Sequence, residues 1–411
     1  MGPDTAAATV LRDRASAEGY VASICFKHGP PRWYGVELEW TVHHADDPAR
    51  PLDTPTLAGA LGPHAPGTLA DDLPDAPAAP LPHGSTVTVE PGGQVELSTS
   101  PHEAVPALLT AACGDLECLD ALLADSGLVR GDLALDGCRP PTRLLRTPRY
   151  AAMQKAFDRI GPYGTRMMCS TAAVQVCLDV GEPHQVPARW AALHGLGPVM
   201  VALFANSAAV DPDGRAWESA RMQSVLGTDP ARMLPPPAAD PTEDPAPSWA
   251  RRVLDTPLLC LRRPGGCWDA PAGTTFADWV AGALPHPPTT DDLDYHLSTV
   301  FPPVRPRGYF EVRYLDAQPG TAWITPVTLL AALMAHEDTV RSVVEVTAPV
   351  TDLWFEAARQ GLANPAVAVA AQHVLDLGCE ALDSVDVPAA PAAQVLTDLA
   401  HRRAALTPSK R

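Results

Sequence analysis

The chain has 411 residues, enough to bury a sizeable core in one large domain or in two or three of ordinary size. Lys and Arg number 30 against 48 Asp and Glu, and the net charge of −18 repels nucleic acid and anionic membrane surfaces, so a polyanionic ligand has to be met by local arginines or a bound cation. Long apolar runs, a signal-peptide pattern and CxxC pairs are all missing from a sequence with nine cysteines, so the expectation is a cytoplasmic chain without a membrane span, its thiols reduced and buried.

In chain order, the first strong signal is a strand from Tyr34 to Val42, in which Tyr34, Val36, Leu38, Trp40 and Val42 alternate with Gly35, Glu37, Glu39 and Thr41. Successive side chains of a strand point to opposite faces, so both carboxylates project from the same one. A solvated outer face is the plain alternative. Pro51 to Pro82, rich in Ala, Pro and Asp, reads as a surface loop. Ser85 to Ser98 reads as a hairpin turning at Pro91-Gly92-Gly93, with Glu90 and Glu96 on its polar side.

Helical periodicity follows from Pro101 to about Ser126, from Arg149 to Ile160, and from Pro187 to about Asn206. Between the last two, Arg166 to Asp179 reads as a long central strand carrying Thr171, Gln175, Asp179, Cys169 and Cys177 on one side. Pro230 to Pro247 reads as a second loop. A fourth strand, Arg307 to Asp316, places Glu311 and Arg313 on one face, where a cross-strand ion pair is the plain explanation. Pro326 to Ala405 is almost entirely helical in pattern. With no internal repeat, the simplest organisation is one domain over residues 1–411, its motifs within 34–317 and a helical C-terminal part at 326–405.

If these strands share a sheet, Glu37, Glu39, Glu90, Glu96 and Glu311 converge on one concave face, and five glutamates cannot stay close and ionised without cations. Magnesium fits, because it takes oxygen ligands and completes its shell with water and phosphates. His43 and His44, adjacent in a strand, point to opposite faces and read as surface residues rather than ligands. Ser219, Arg221 and Arg232 follow an Asn206-Ser207 segment, and Arg305, Arg307 and Arg313 surround Glu311. Such guanidinium forks suit carboxylates and phosphates, with solvated or structural arginine as the alternative. Thr171 and Gln175 suit hydrogen bonding to a polar amino acid. Neither GxxxxGK[ST] nor GxGxxG occurs, so a nucleotide would not sit on a P-loop or a Rossmann turn.

At this point the sequence resembles the plant-type and bacterial glutamate-cysteine ligases. The strings that carry the resemblance are YGVELEW (34–40), GGQVELSTSP (92–101), MMCSTAAVQVCLD (167–179), ALFANS (202–207), SAR followed by DPAR (219–232), and RPRGYFEVRYLDA (305–317), in the family's order. The resemblance implies an α+β fold related to glutamine synthetase, in which an antiparallel sheet with a concave acidic face is flanked by helices. It implies ATP and magnesium, and the joining of the glutamate γ-carboxylate to the cysteine amine through a γ-glutamyl phosphate. By it, Glu37, Glu39, Glu90, Glu96 and Glu311 are the magnesium-ATP carboxylates, and Arg313, with Arg305 and Arg307, lies near the phosphates. Thr171, Gln175, Asn206, Ser219, Arg221 and Arg232 form the substrate-facing set. The plant pattern is broken where Ser170 replaces an Arg and near Val225, where a Trp is expected. The actinobacterial branch serving ergothioneine synthesis is the nearest match among these. A same-fold ligase using another amine, and a non-catalytic nucleotide- or metal-binding protein, are the alternatives.

Overall fold

A computed structural model of the protein describes residues 8–69, 78–237 and 239–406. Six strands form one sheet: β1 (Tyr34–Trp40), β2 (Thr86–Val89), β3 (Val95–Ser98), β4 (Ala173–Asp179), β5 (Val304–Pro306) and β6 (Tyr309–Asp316). Their order is β2-β3-β1-β4-β6-β5, and every neighbouring pair is antiparallel.

The alternation in each strand sends one set of side chains into the core. Leu38, Leu97, Val176 and Val312 are no more than 1% exposed. Burying each such side chain contributes about 1.5–3 kcal/mol. A one-residue slip of any strand would put these groups on the wrong face, so the apolar face pins the register of the polar one. The Val105–Asp125 and Val186–Leu203 helices pack against β1 and β6 respectively. The second of these is buried along nearly its whole length because the C-terminal helices Glu337–Thr347, Trp354–Gln360 and Pro365–Ala381 cover its outer side.

A β-bulge in β6 matters for the polar face. Val312 pairs with Val176, but Leu315 rather than Tyr314 pairs with Val174, so one extra residue is accommodated after Arg313. Tyr314 and Leu315 are both fully buried, while Arg313 stays on the polar face beside Glu311.

Several sequence expectations are corrected here. The first strand ends at Trp40, and Val42–His44 pairs instead with Leu128–Arg130 in a separate two-stranded sheet. His43 and His44 are consequently buried rather than on the surface, and His43 contacts the Thr41 hydroxyl. The long strand from Arg166 is in fact a helix, Tyr163–Ser170, followed by β4 from Ala173. The Pro51–Pro82 loop contains the helix Thr54–Leu61, capped by Asp53, which accepts from the Thr56 amide at 2.8 Å; its residues 70–77 lie outside the described residues. The Pro230–Pro247 loop contains the short helix Pro230–Met233 and the start of Ala246–Asp255. Cys138 and Cys267 are exposed, against the expectation of burial.

The hairpin between β2 and β3 is pressed onto the end of the Tyr163–Ser170 helix. A Cβ at Gly92 would lie 2.1 Å from the Cys169 carbonyl oxygen, and a backbone atom has little room to yield. Gly92→Ala is therefore expected to lower the urea-unfolding free energy by at least about 1–3 kcal/mol, the usual range for overpacking; an unchanged midpoint would contradict this packing.

Candidate active site

The polar face of the sheet is a set of cross-strand rows. Thr88 lies opposite Glu96, and Glu96 opposite Glu39. In the next row Thr86 and Ser98 lead to Glu37, which faces Gln175. Further along, Cys177 lies opposite Glu311, and Glu311 opposite Arg305. Like charges directly opposite one another destabilise a sheet, so the Glu39–Glu96 pair calls for compensation. Glu90 joins them from the hairpin turn, where its amide donates to the Gln94 carbonyl oxygen at 2.8 Å and its own carbonyl accepts from Gly93 at 2.9 Å.

Charge is distributed unevenly across this face. At the β5–β6 edge Glu311, fully buried, accepts from Arg305 Nε at 2.6 Å and Nη2 at 2.9 Å, from Arg313 Nη1 at 2.8 Å and from Arg307 Nη1 at 3.3 Å. Burial alone would push its carboxyl up, but the Arg305 and Arg313 guanidinium groups outweigh it and hold the carboxyl well below the usual carboxylate range. Arg313 also donates to the Gln175 amide oxygen, and Gln175 in turn donates to Glu39 Oε1 at 2.7 Å. The Ala173 amide donates to Glu39 Oε2 at 2.9 Å.

Toward β1–β3 the balance reverses. Burial, followed by the Glu311 and Glu96 charges, pushes Glu37 up to about 7. Burial, then Glu96 and Glu39, pushes Glu90 up to about 8. Glu39 and Glu96 are raised as well, chiefly by burial. The Glu37 and Glu90 carboxylates accept no hydrogen bond from any described residue. Four half-buried carboxylates, two of which accept no hydrogen bond from a described residue, are a hard-oxygen donor set that fits a divalent cation such as magnesium. Glu311 does not fit that role in this arrangement, because three arginines already engage its oxygens.

These residues line a cavity of about 320 Å³. Thr171, Gln175, Arg221, Arg305, Arg307 and Arg313 line it together with Glu37, Glu39, Glu90 and Glu96. Thr171 caps the Tyr163–Ser170 helix rather than lying in a strand, and its hydroxyl donates to the Met167 carbonyl at 2.6 Å.

Three of the expected substrate-facing residues are not in the cavity wall, a correction to the sequence reading. Asn206 and Ser219 lie behind it, around the buried Asp316: the Asn206 amide donates to Asp316 at 2.9 Å and the Ser219 hydroxyl at 2.9 Å. Arg221 stands 3.7 Å from the same carboxylate and donates to the Arg313 carbonyl at 2.7 Å, so this network holds an arginine that does reach the cavity. Arg232 is 1% exposed and spent on Asp229 at 2.6 Å, on the Thr299 carbonyl at 3.0 Å and on the Pro257 carbonyl. It lines a different cavity, next to Lys155 and Arg159.

The roof was not legible from the sequence. Arg149, Tyr150 and Met153 come from the Pro148–Asp158 helix, and Phe301 sits under both Arg305 and Arg313, at 5.8 and 5.9 Å from ring centroid to guanidinium. Gln94 carried a usable signal, as the polar residue opening β3. Its side chain bridges the hairpin to the Tyr163–Ser170 helix by donating to the Thr171 carbonyl at 2.8 Å and the Met168 carbonyl at 3.2 Å.

Two measurements follow from this electrostatic layout. Glu37 and Glu90 have folded-state values above the ordinary 4.5, so the stability their neutral forms contribute is complete below that value and is lost as pH rises through about 7 and about 8. The urea midpoint of the metal-free protein is expected to fall from about pH 5 to about pH 9, and magnesium is expected to reverse the fall at the alkaline end; a flat profile without metal would contradict the layout. Glu311→Gln leaves three arginines around a neutral group and is expected to cost about 3–5 kcal/mol in urea unfolding, the range for breaking a buried pair. Glu37→Gln removes a carboxylate that accepts no hydrogen bond and is disfavoured by burial and its neighbouring glutamates, so a midpoint at neutral pH no lower than that of the parent checks the contrast.

Comparison with known proteins places this site in a family. Residues 33–404 match the family model described as Glutamate-cysteine ligase family 2 (GCS2). The chain is 36% identical over 373 residues to the glutamate-cysteine ligase EgtA of Mycobacterium tuberculosis, covering 89% of this chain and 83% of that protein. It is 36% identical over 372 residues to EgtA of Mycolicibacterium smegmatis, covering 89% and 84%. A chloroplastic glutamate-cysteine ligase of Brassica juncea is 30% identical over 288 residues, or 68% of this chain and 54% of that one. A match that takes in the sheet, the cavity and most of the helical C-terminal part shows that the chain belongs to glutamate-cysteine ligase family 2.

Proposed function

We propose that this ligase uses ATP and magnesium to join the γ-carboxylate of glutamate to the amine of cysteine. The observation that carries the reading is the polar sheet face, where four half-buried carboxylates stand beside an arginine cluster in one cavity. Family membership and the names of the M. tuberculosis and M. smegmatis relatives support the choice of substrates. The likeness to the actinobacterial branch supports a place at the first step of ergothioneine synthesis.

In this reading Glu37, Glu39, Glu90 and Glu96 hold the cation, and Glu311 fixes the arginines. When bound, magnesium supplies positive charge to the phosphate oxygens. Arg305, Arg307 and Arg313 neutralise the anion that the carboxylates would otherwise repel. Thr171, Gln175 and Arg221 orient the amino acid whose side-chain carboxylate takes the γ-phosphoryl group. The resulting acyl phosphate is attacked by the neutral amine nitrogen, a C–N bond forms, phosphate leaves, and the amine loses a proton. The enclosing roof of Tyr150, Met153 and Phe301 limits the access of water to that intermediate.

Purified protein with ATP, magnesium and glutamate is expected to release ADP in a cysteine-dependent manner and to form γ-glutamylcysteine, detected by mass. Glu37→Gln is expected to lower turnover by at least about 100-fold, as for loss of one charge-stabilising group. Release that requires a different amine would replace cysteine as the substrate, and no release with any amine would favour a binding protein.

A further inference from the structure

A second group of metal-ligating side chains lies outside the cavity. His43, Asp136 and Cys138 each bring one ligand atom within 4.8 Å of the other two. His43 comes from the Val42–His44 strand of the small sheet, and the other two from the segment that follows its partner strand Leu128–Arg130. His43 is buried, the Asp136 side chain is 4% exposed, and Cys138 reaches solvent. The histidine is far in the chain from the other two residues, so no spacing motif announces the group.

We infer that these three side chains bind a zinc-class divalent ion, at a site separate from the carboxylates of the six-stranded sheet. The two donor sets differ in kind. The sheet offers oxygen alone, which suits magnesium, whereas imidazole, thiolate and carboxylate together suit zinc, with water completing a tetrahedron from the exposed Cys138 side.

The surroundings form the outer shell that such a site needs. His43 Nδ1 lies 3.2 Å from the Pro48 carbonyl oxygen, a contact that puts the ring proton on Nδ1 and leaves the Nε2 lone pair for the ion. The Thr41 hydroxyl stands 3.0 Å from Nε2 and rotates to suit whatever that nitrogen binds. A Cβ on Gly131 would lie 3.1 Å from Nε2, so glycine keeps the approach to it open. The Cys138 and Arg139 amides donate to Asp136 Oδ1 at 2.8 and 3.1 Å and fix the carboxylate. Arg139 donates to Oδ2 through Nε at 2.9 Å and stands 2.8 Å from it through Nη2. That ion pair is the plain explanation of a buried aspartate, and an incoming ion has to take one of its bonds. The Nη2 bond is the one to yield, because Nη2 also donates to the Val42 carbonyl at 2.8 Å and keeps that partner.

The ligand-bearing segment also backs the cavity wall. The Asp136 amide donates to the Ser170 carbonyl at 2.7 Å and the Ala172 amide to the Ala134 carbonyl at 3.0 Å, on either side of Thr171. An ion held by His43, Asp136 and Cys138 would therefore tie the small sheet to the segment that supports Thr171.

The reduced full-length protein, in excess magnesium to occupy the oxygen ligands of the sheet, would be titrated with cobalt(II) and with zinc. Cobalt is expected to give a near-ultraviolet thiolate-to-metal absorption band that zinc abolishes, and zinc is expected to raise the urea midpoint. Cys138→Ala changes an exposed position and should unfold with the cooperativity of the parent. It should remove the cobalt band, lower zinc affinity at least about tenfold and abolish the zinc-dependent rise in midpoint. His43→Gln should weaken zinc in the same way while Cys267→Ala, at the other exposed thiol, should not. A cobalt band or zinc affinity that survives in Cys138→Ala would place the ion at another thiol and overturn the inference. Zinc binding with no thiolate band in the parent would place it on the acidic sheet face and overturn it equally.

Discussion

Charge of one sign gathered inside a protein has to be compensated, and the polar face of this sheet solves that problem at only one of its edges. Around Glu311 three arginines supply the compensation from within the chain, two of them, Arg305 and Arg313, largely buried with it. Around Glu37 and Glu90 the pull of Arg313 is too weak to offset burial and the neighbouring glutamates, which drive those carboxyls toward neutrality. A cation at the acidic end and an anion at the arginine end would each relieve an unfavourable arrangement.

The strain of holding such a face is carried by the rest of the fold. The apolar underside of the same six strands is among the most completely buried surface in the chain, so the register cannot slip to disperse the glutamates. The bulge in β6 keeps Arg313 next to Glu311 while Tyr314 turns inward to donate to the Leu193 carbonyl at 3.2 Å. Behind the cavity, Asp316 ties Asn206, Ser207, Ser219 and Arg221 together, so that an arginine of the wall is positioned by residues that never reach it. Proteins commonly trade stability for function in this manner, with a rigid scaffold supporting a costly site.

The roof differs from the floor in kind. It is built from helices and the Phe301–Pro303 turn rather than from strands, and its side chains are methionines and aromatics whose shape adapts to what they cover. A charged, register-locked floor and an apolar roof therefore line the same cavity.

How much of this was legible in the sequence follows from what is local. Alternation in Tyr34–Val42, in the hairpin and in the first residues of Arg307–Asp316 was enough to put Glu37, Glu39, Glu96 and Glu311 on the polar side of their own strands, because side-chain direction in a strand has a period of two. Met167 and Met168 lie in a short apolar run that a strand and a buried helix share, so its pattern does not choose between them, and the structure has it as the helix Tyr163–Ser170. The three-residue edge strand β5 has too little pattern to see, yet it brings Arg305 to Glu311. Asn206, Ser219 and Arg232 have the chemistry of substrate ligands, and burial against Asp316, Asp229 and backbone carbonyls is what turned them to support. The sequence by itself determined which residues are charged and which way they point along each strand. Tertiary structure alone decided which of those charges meet a partner, because compensation depends on distances between elements far apart in the chain.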